Sequence, residues 1–381
     1  MNNKKFIYAD HAATTMLLPQ ALAAMTPFLT AEYGNASTLY SLAREPKKAL
    51  ADARSAIAAC IGAEPEEIFF TSCGTEADNW ALKGTAFRFP QQKKRIITTA
   101  IEHHAVLRSC QLLERMGYDV VYLPVDAQGL VAKEALRAAI NSVTVLVSIM
   151  LANNEIGTIE PIQELARVAH EFGVPFHTDA VQAVGHIPID VRKLGVDMLS
   201  ASAHKFNGPK GIGFLYIKRG LKLANLVDGG AQESGRRGGT ENIASIVGMA
   251  EALQFNVANL DAHTERLNRL CKLLLDELDK KRLPYVLNGS EHRIPGSLSL
   301  SFAHEDGEAL LHRLDLMGVA VTTGSACNSH ETEVSHVLQA IKLPAHLAKG
   351  TIRVTLGFEN TEEEVKRIAL CLAKLQNDKL L

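Results

Sequence analysis

Asp179 and Lys205 are residues whose types and placement suggest chemistry. Asp179 follows the β-prone run from Val174 to Thr178. Lys205 closes Ser202-Ala203-His204-Lys205, after the apolar Met198-Leu199 and before Gly208-Pro209-Lys210-Gly211. A lysine amine that is desolvated or crowded by positive charge loses its proton and can form an imine with a carbonyl compound. A carboxylate against a heteroaromatic ring nitrogen keeps that nitrogen protonated, so the ring can absorb a carbanion's electrons. Taken singly, Asp179 reads as a strand-end cap and Lys205 as a surface lysine. Together, after successive strands, they point to imine chemistry.

A second constellation is Phe69-Phe70-Thr71-Ser72-Cys73-Gly74-Thr75-Glu76, which reads as strand, small-residue turn and helix start. A helix start offers free N–H groups and a positive dipole end, which suit a phosphate dianion. Thr75 adds a hydroxyl, and Ser202 and His204 are placed to close such a site from the lysine side. The same pattern also fits an ordinary capped turn with no ligand. Neither G-x-x-x-x-G-K-[ST] nor an early G-x-G-x-x-G is present, which argues against a nucleotide P-loop.

The third is Cys327. Six cysteines are scattered without a C-x-x-C pair, so neither a disulfide framework nor a zinc ribbon is supported. With no H-E-x-x-H either, no metal site is expected. Five of the six lie in or beside helical or strand patterns and read as packing. Cys327 instead sits among Gly324, Ser325, Ala326, Asn328 and Ser329. A nucleophilic thiol must be exposed and partly ionised, and small polar neighbours allow it to travel.

Elements must hold these residues in place. A chain of 381 residues with 47% hydrophobic and 22% charged residues can build a sizeable core in two or three domains. A net charge of −2 gives no general attraction to nucleic acid or anionic membranes. The longest apolar stretch, Val143 to Ala152, is about half of what spans a bilayer, and the first residues lack a signal-peptide core. A soluble, cytoplasmic protein is expected.

From about residue 48 the pattern alternates. Helices are expected at Ala49 to Ile61, Glu76 to Phe87, Ala105 to Met116 and Ile162 to Phe172. Strands are expected at Ile68 to Thr71, Arg95 to Thr99, Val120 to Leu123, Val143 to Met150 and Val174 to His177. This rhythm implies a parallel sheet with crossover helices on both faces, and ligands at the strands' carboxyl ends. Beyond it come one long helix from Asn256 to Arg282, strands at Ser297 to Phe302, Val319 to Thr322 and Thr351 to Leu356, and a helix from Glu308 to Met317. Thr361 and Glu364 form the capping box of the final helix. The expected division is a large domain, 16–255, and a smaller α/β domain, 256–381, joined by residues 1–15.

Several motifs occur in one familiar order: Asp10-His11-Ala12-Ala13-Thr14-Thr15, Thr75-Glu76, Glu102-His103, Asn154-Glu155-Ile156-Gly157, His177 to Gln182, Ser202 to Lys205, and Gly324-Ser325-Ala326-Cys327. Along nearly its whole length the chain resembles the cysteine desulfurases of the NifS/IscS type, group I. These lie within the class-V aminotransferase family of fold-type I pyridoxal-phosphate enzymes. The resemblance implies an α/β fold with a mostly parallel sheet flanked by helices, plus a smaller C-terminal α/β domain. It implies pyridoxal 5′-phosphate as cofactor and L-cysteine as substrate, with alanine and a persulfide on Cys327 as products. Lys205 would hold the cofactor covalently and move the Cα proton, Asp179 would pair with the ring nitrogen, and His103 would stack on the ring. Asn154 and Gln182 would fix the ring's oxygen and the imine geometry. Gly74, Thr75, Ser202 and His204 would surround the phosphate. Thr240 would reach it from the partner subunit of a homodimer. Arg353 and Asn154 would bind the substrate, the arginine fork meeting its carboxylate. A sulfur-acceptor protein, such as an iron–sulfur scaffold or a tRNA-thiolation enzyme, would then take the persulfide.

The chain departs from the family's usual residues at Ala36, Tyr40, Cys73 and Ala203, none of which is a named cofactor position. Two other readings stay open on the residues alone. One is a selenocysteine lyase or aminotransferase-like enzyme, which shares the cofactor chemistry. The other is a catalytically silent protein that keeps the fold.

Overall fold

The computed structural model describes residues 6–89, 94–323 and 334–377. Its strands are β1 (Ile7–Tyr8), β2 (Ile68–Thr71), β3 (Arg95–Thr99), β4 (Asp119–Leu123), β5 (Thr144–Ser148), β6 (Phe176–Asp179), β7 (Met198–Ser202), β8 (Gly213–Ile217), β9 (Val286–Leu287), β10 (Ser297–Ser301), β11 (Val319–Ala320) and β12 (Thr351–Thr355). β2 to β8 form one sheet in the order β2-β8-β7-β6-β5-β3-β4. The pairings from β7 through β4 are parallel, and only β8 runs against both of its neighbours. The sheet is thus mixed but mostly parallel.

Alternation along each strand drives the layering, because successive side chains face opposite sides. Phe69 and Ile96 join Trp80, Leu113 and Leu215 in the core on one side of the sheet. Their neighbours Phe70 and Ile97 join Ile57, Leu165, Phe206 and Leu253 on the other. A third core gathers Leu270, Leu274, Leu300, Ile352, Val354 and Ile368, and takes in Ile7 and Ala9 from the N-terminal end. It surrounds the antiparallel sheet β12-β10-β9 and the parallel pair β1-β11. The N-terminal segment therefore crosses from this third core to the large sheet, with Thr15 bonded to the carbonyl of His204 through both its N–H and its hydroxyl.

β2 and β3 lie where the sequence pattern puts them, and Thr361 and Glu364 cap the last helix reciprocally. The expected helix Asn256 to Arg282 is instead two. Ile243–Ala258 and Leu260–Lys280 meet at a 71° bend. Asn259 breaks the run, leaving helical geometry (φ −109°, ψ 12°) and donating its side-chain amide to the Phe255 carbonyl. Such local side chain-to-backbone bonds compete with helix continuation. The leucines at 267, 270 and 274 still pack inward. The helix Pro19–Thr30 and strand β8 were not expected, and the strand at Val319 ends at Ala320. Among the described residues, no single helix is long and apolar enough to cross a membrane.

Candidate active site

The carboxyl ends of the parallel strands open into a cleft of about 690 Å³. Asp179, the last residue of β6, lies on its floor, 4% exposed. One carboxylate oxygen accepts the Val181 N–H at 2.9 Å. Burial pushes its pKa up to about 6, opposed by that N–H and by Lys205. Lys205 enters the same cleft from the turn Ala203–Lys205 that follows β7, the strand paired in parallel with β6. Its amine donates to the carbonyls of Ala12 (2.5 Å) and Ala13 (3.0 Å). The Gln182 amide donates to Ala12 as well, at 3.0 Å. The N-terminal segment thus forms one wall of the cleft.

The opposite wall is the start of the helix Gly74–Arg88. Its cap position, Cys73, makes no side-chain cap bond, so the first-turn N–H groups are left for a ligand. Ser202, 2% exposed, presents a hydroxyl with no partner among the described residues. A methyl group on Gly74 would meet Val181 at 2.5 Å and Ser202 at 3.3 Å. Thr75 and His204 line the same space. Unpaired N–H groups, an orphaned hydroxyl and room kept by glycine together suit a phosphate dianion.

His103 caps the helix His104–Arg115 through Nδ1, which accepts the Ala105 N–H at 3.1 Å. Burial first, and then Lys205, His104 and His336, lower its pKa to about 4. The ring is therefore neutral near pH 7, and the accepted bond at Nδ1 assigns its proton to Nε2. Asn154 also lines the cleft. Arg353, in the middle of β12 and 5% exposed, reaches this turn from the third core, donating to the Asn154 carbonyl at 2.8 Å.

The sequence-predicted Gly74, Thr75, His103, Asn154, Asp179, Gln182, Ser202, His204 and Lys205 are thus brought to one cleft. Thr240 is not among them: exposed, it lines a separate surface cleft with Ser72, Arg237 and Glu241. Cys327 and its neighbours Gly324, Ser325 and Ala326 lie outside the described residues. Of the unusual residues, Cys73 touches the cleft and Ala203 is fully buried against Gly208, where a second Cβ would come within 2.8 Å.

Three residues of the site escaped sequence reasoning. Asn153 folds the turn that carries Asn154, accepting from the N–H of Glu155 and Ile156 and donating to the Ile101 carbonyl. Asp78, 1% exposed, shares the cleft floor with Asp179, and burial followed by the Asp179 charge raises its pKa well above the ordinary range. Asp10 binds Arg353 at 2.7 Å. Asn153 and Asp10 stand inside or beside quoted motifs, but only the fold reveals their partners.

Fold and cleft define a class, an α/β protein of fold-type I with a half-buried lysine and a buried carboxylate at the carboxyl edge of its sheet. The family model for aminotransferase class-V matches residues 7–368. A protein of Dictyoglomus turgidum named cysteine desulfurase IscS is 50% identical over 95% of this chain and 92% of its own length. One of the same name from Methanosarcina thermophila is 46% identical, over 96% and 90%. Among solved structures, a NifS-like protein superposes with a TM-score of 0.92 at 38% identity, covering 98% of this chain and 99% of its own. Another, described as SspA in complex with cysteine, gives 0.84 at 35%, covering 93% and 100%. The chain belongs to the class-V aminotransferase family, in its NifS/IscS-type cysteine desulfurase branch.

Proposed function

We propose that the protein is a pyridoxal 5′-phosphate-dependent cysteine desulfurase that converts L-cysteine to L-alanine and carries the removed sulfur as a persulfide on Cys327. The observation that carries this reading is the meeting of the Lys205 amine, the buried Asp179 carboxylate and an uncapped helix start in one cleft. Bound there, the cofactor supplies an electron sink for the substrate's Cα.

The chain's own groups supply the rest. The first-turn N–H groups at Gly74 and Thr75, with the Ser202 hydroxyl and His204, hold the phosphate, and Thr240 of a second copy adds to it in a homodimer. Asp179 pairs as carboxylate with the ring nitrogen, an interaction that favours its charged form. The neutral His103 ring covers the cleft. Asn154 and Gln182 orient the ring's polar edge. Arg353 binds the substrate carboxylate, and Lys205 Nζ takes the Cα proton. The Cys327 thiolate attacks the substrate sulfur: a new S–S bond forms, the substrate C–S bond breaks, and its electron pair ends, with a proton, on the carbon skeleton of alanine. The persulfide then passes to an acceptor protein in iron–sulfur assembly or thiolation. The working unit has a large domain, 16–255, and a small one, 256–381 with 1–15, and acts in the cytoplasm.

Cys327→Ala tests this. It should bind the cofactor with an unchanged visible band and yet form no alanine from cysteine and no protein-bound persulfide by intact mass. Unchanged alanine formation would remove Cys327 from the reaction.

A further inference from the structure

Arg353 poses a physical problem that the desulfurase reading leaves unanswered. A guanidinium in the middle of a strand, its side chain 6% exposed, carries a charge that burial penalises heavily unless a partner offsets it. It must also keep donors free for an incoming carboxylate. Asp10 Oδ1 meets Nη2 at 2.7 Å, and the Asn154 carbonyl meets Nη1 at 2.8 Å. Nε is buried and has no partner among the described residues. Arginine carries five N–H donors, so two contacts leave enough for a carboxylate to bind through two.

Asp10 is itself held. Its backbone bridges in parallel to Thr355 of β12, and the Tyr8 hydroxyl donates to its carbonyl at 2.9 Å. A carboxylate fixed to the same strand pair as the arginine cannot swing away with it. Glu155, whose carboxyl also feels the Arg353 charge, accepts the Ser335 hydroxyl at 2.5 Å.

We propose that Asp10 is a positioning residue for the substrate: it anchors Arg353 by Nη2 and turns the remaining N–H groups toward the α-carboxylate of the amino acid. The inference deepens the desulfurase reading and rests on Arg353 being the carboxylate clamp. Asp10 acts through Arg353 and is not among the residues that line the cleft of Lys205. Its loss should therefore weaken ground-state binding more than turnover.

The test uses cofactor-loaded wild type, Asp10→Ala, Asp10→Asn and Arg353→Ala. KM and kcat are measured with L-cysteine under reductant, and Kd for L-alanine by titrating the visible band. Asp10→Ala should raise both KM and Kd roughly tenfold or more, the worth of a lost charged hydrogen bond, with kcat within about threefold. Asp10→Asn, whose side-chain oxygen accepts the same N–H, should recover most of the loss. If Asp10→Ala does not fold, Asp10→Ser, too short to reach Nη2, takes its place. Unchanged KM and Kd in the Asp10 variants, with both raised in Arg353→Ala, would overturn the role of Asp10 alone. So would a fall in kcat and melting temperature with KM unmoved, which marks a merely structural residue. Values unmoved in Arg353→Ala too would instead overturn the clamp on which the proposal rests.

Discussion

Replacing Asp179 by Asn should have opposite effects on the cofactor-free and the loaded protein. Without cofactor, burial raises the Asp179 pKa from 3.8 to about 6. A carboxylate with a raised folded pKa binds its proton more tightly when folded, so its contribution is most favourable below pH 3.8 and declines as pH rises to 6. The shift of about two units corresponds to roughly 3 kcal/mol of destabilisation at pH 8. Asn occupies the same space without charge, so Asp179→Asn should lack that decline. For a chain of this size unfolding as one unit, roughly 3 kcal/mol is about 4 °C in Tm. Thermal unfolding of both cofactor-free proteins at pH 5 and pH 8 reads it directly: about half of the loss is already in place at pH 5, so the variant should gain on wild type by about 2 °C between the two pH values. Adding cofactor at pH 8 should reverse the order, because only the carboxylate can pair with a protonated ring nitrogen. Parallel pH dependences in the cofactor-free pair, or a variant still the more stable after loading, would refute the reasoning.

Gly74→Ala places a methyl group 2.5 Å from Val181 Cγ2 and 3.3 Å from Ser202 Cβ. Relief should cost about 1–3 kcal/mol and weaken cofactor affinity, read as a lower Tm and a higher Kd in a fluorescence titration. His103 supplies a pH prediction. Its pKa is lowered to about 4, so folding favours the neutral ring, and this histidine costs stability as pH falls from 6.5 toward 4. The pH profile of kcat/KM should show no limb near 6.5 that disappears in His103→Gln, and such a limb would contradict the buried, neutral assignment.

Much of the site was legible because its chemistry is tied to local pattern. Parallel strands must deliver ligand-binding groups just beyond their carboxyl ends, so Asp179 and Lys205 were identifiable from the runs before them. The turn at Ser72 to Thr75 was legible for the same reason, a strand running into a helix through small residues. Less legible were residues whose meaning is a distant partner. Asn153 carries no signal of its own in the sequence; only its side-chain bonds to two N–H groups of its own turn and to the Ile101 carbonyl set it apart. Asp78 sits in the helix Gly74–Arg88 with no signal that it shares a buried floor with Asp179. The Asn259 break was missed because leucine spacing continues across it, while hydrogen bonding does not.

Sequence alone determined the alternating strand and helix order, the identity of the amine and carboxylate, and the small-residue surroundings of Cys327, since these follow from neighbours along the chain. Tertiary structure decided that the Ala12 and Ala13 carbonyls receive the Lys205 amine, that Asp10 meets Arg353, and that Ser202 is left with a buried hydroxyl and no partner among the described residues. Each depends on packing segments far apart in the chain, and burial is what gives a charge or an unpaired hydroxyl its energetic weight.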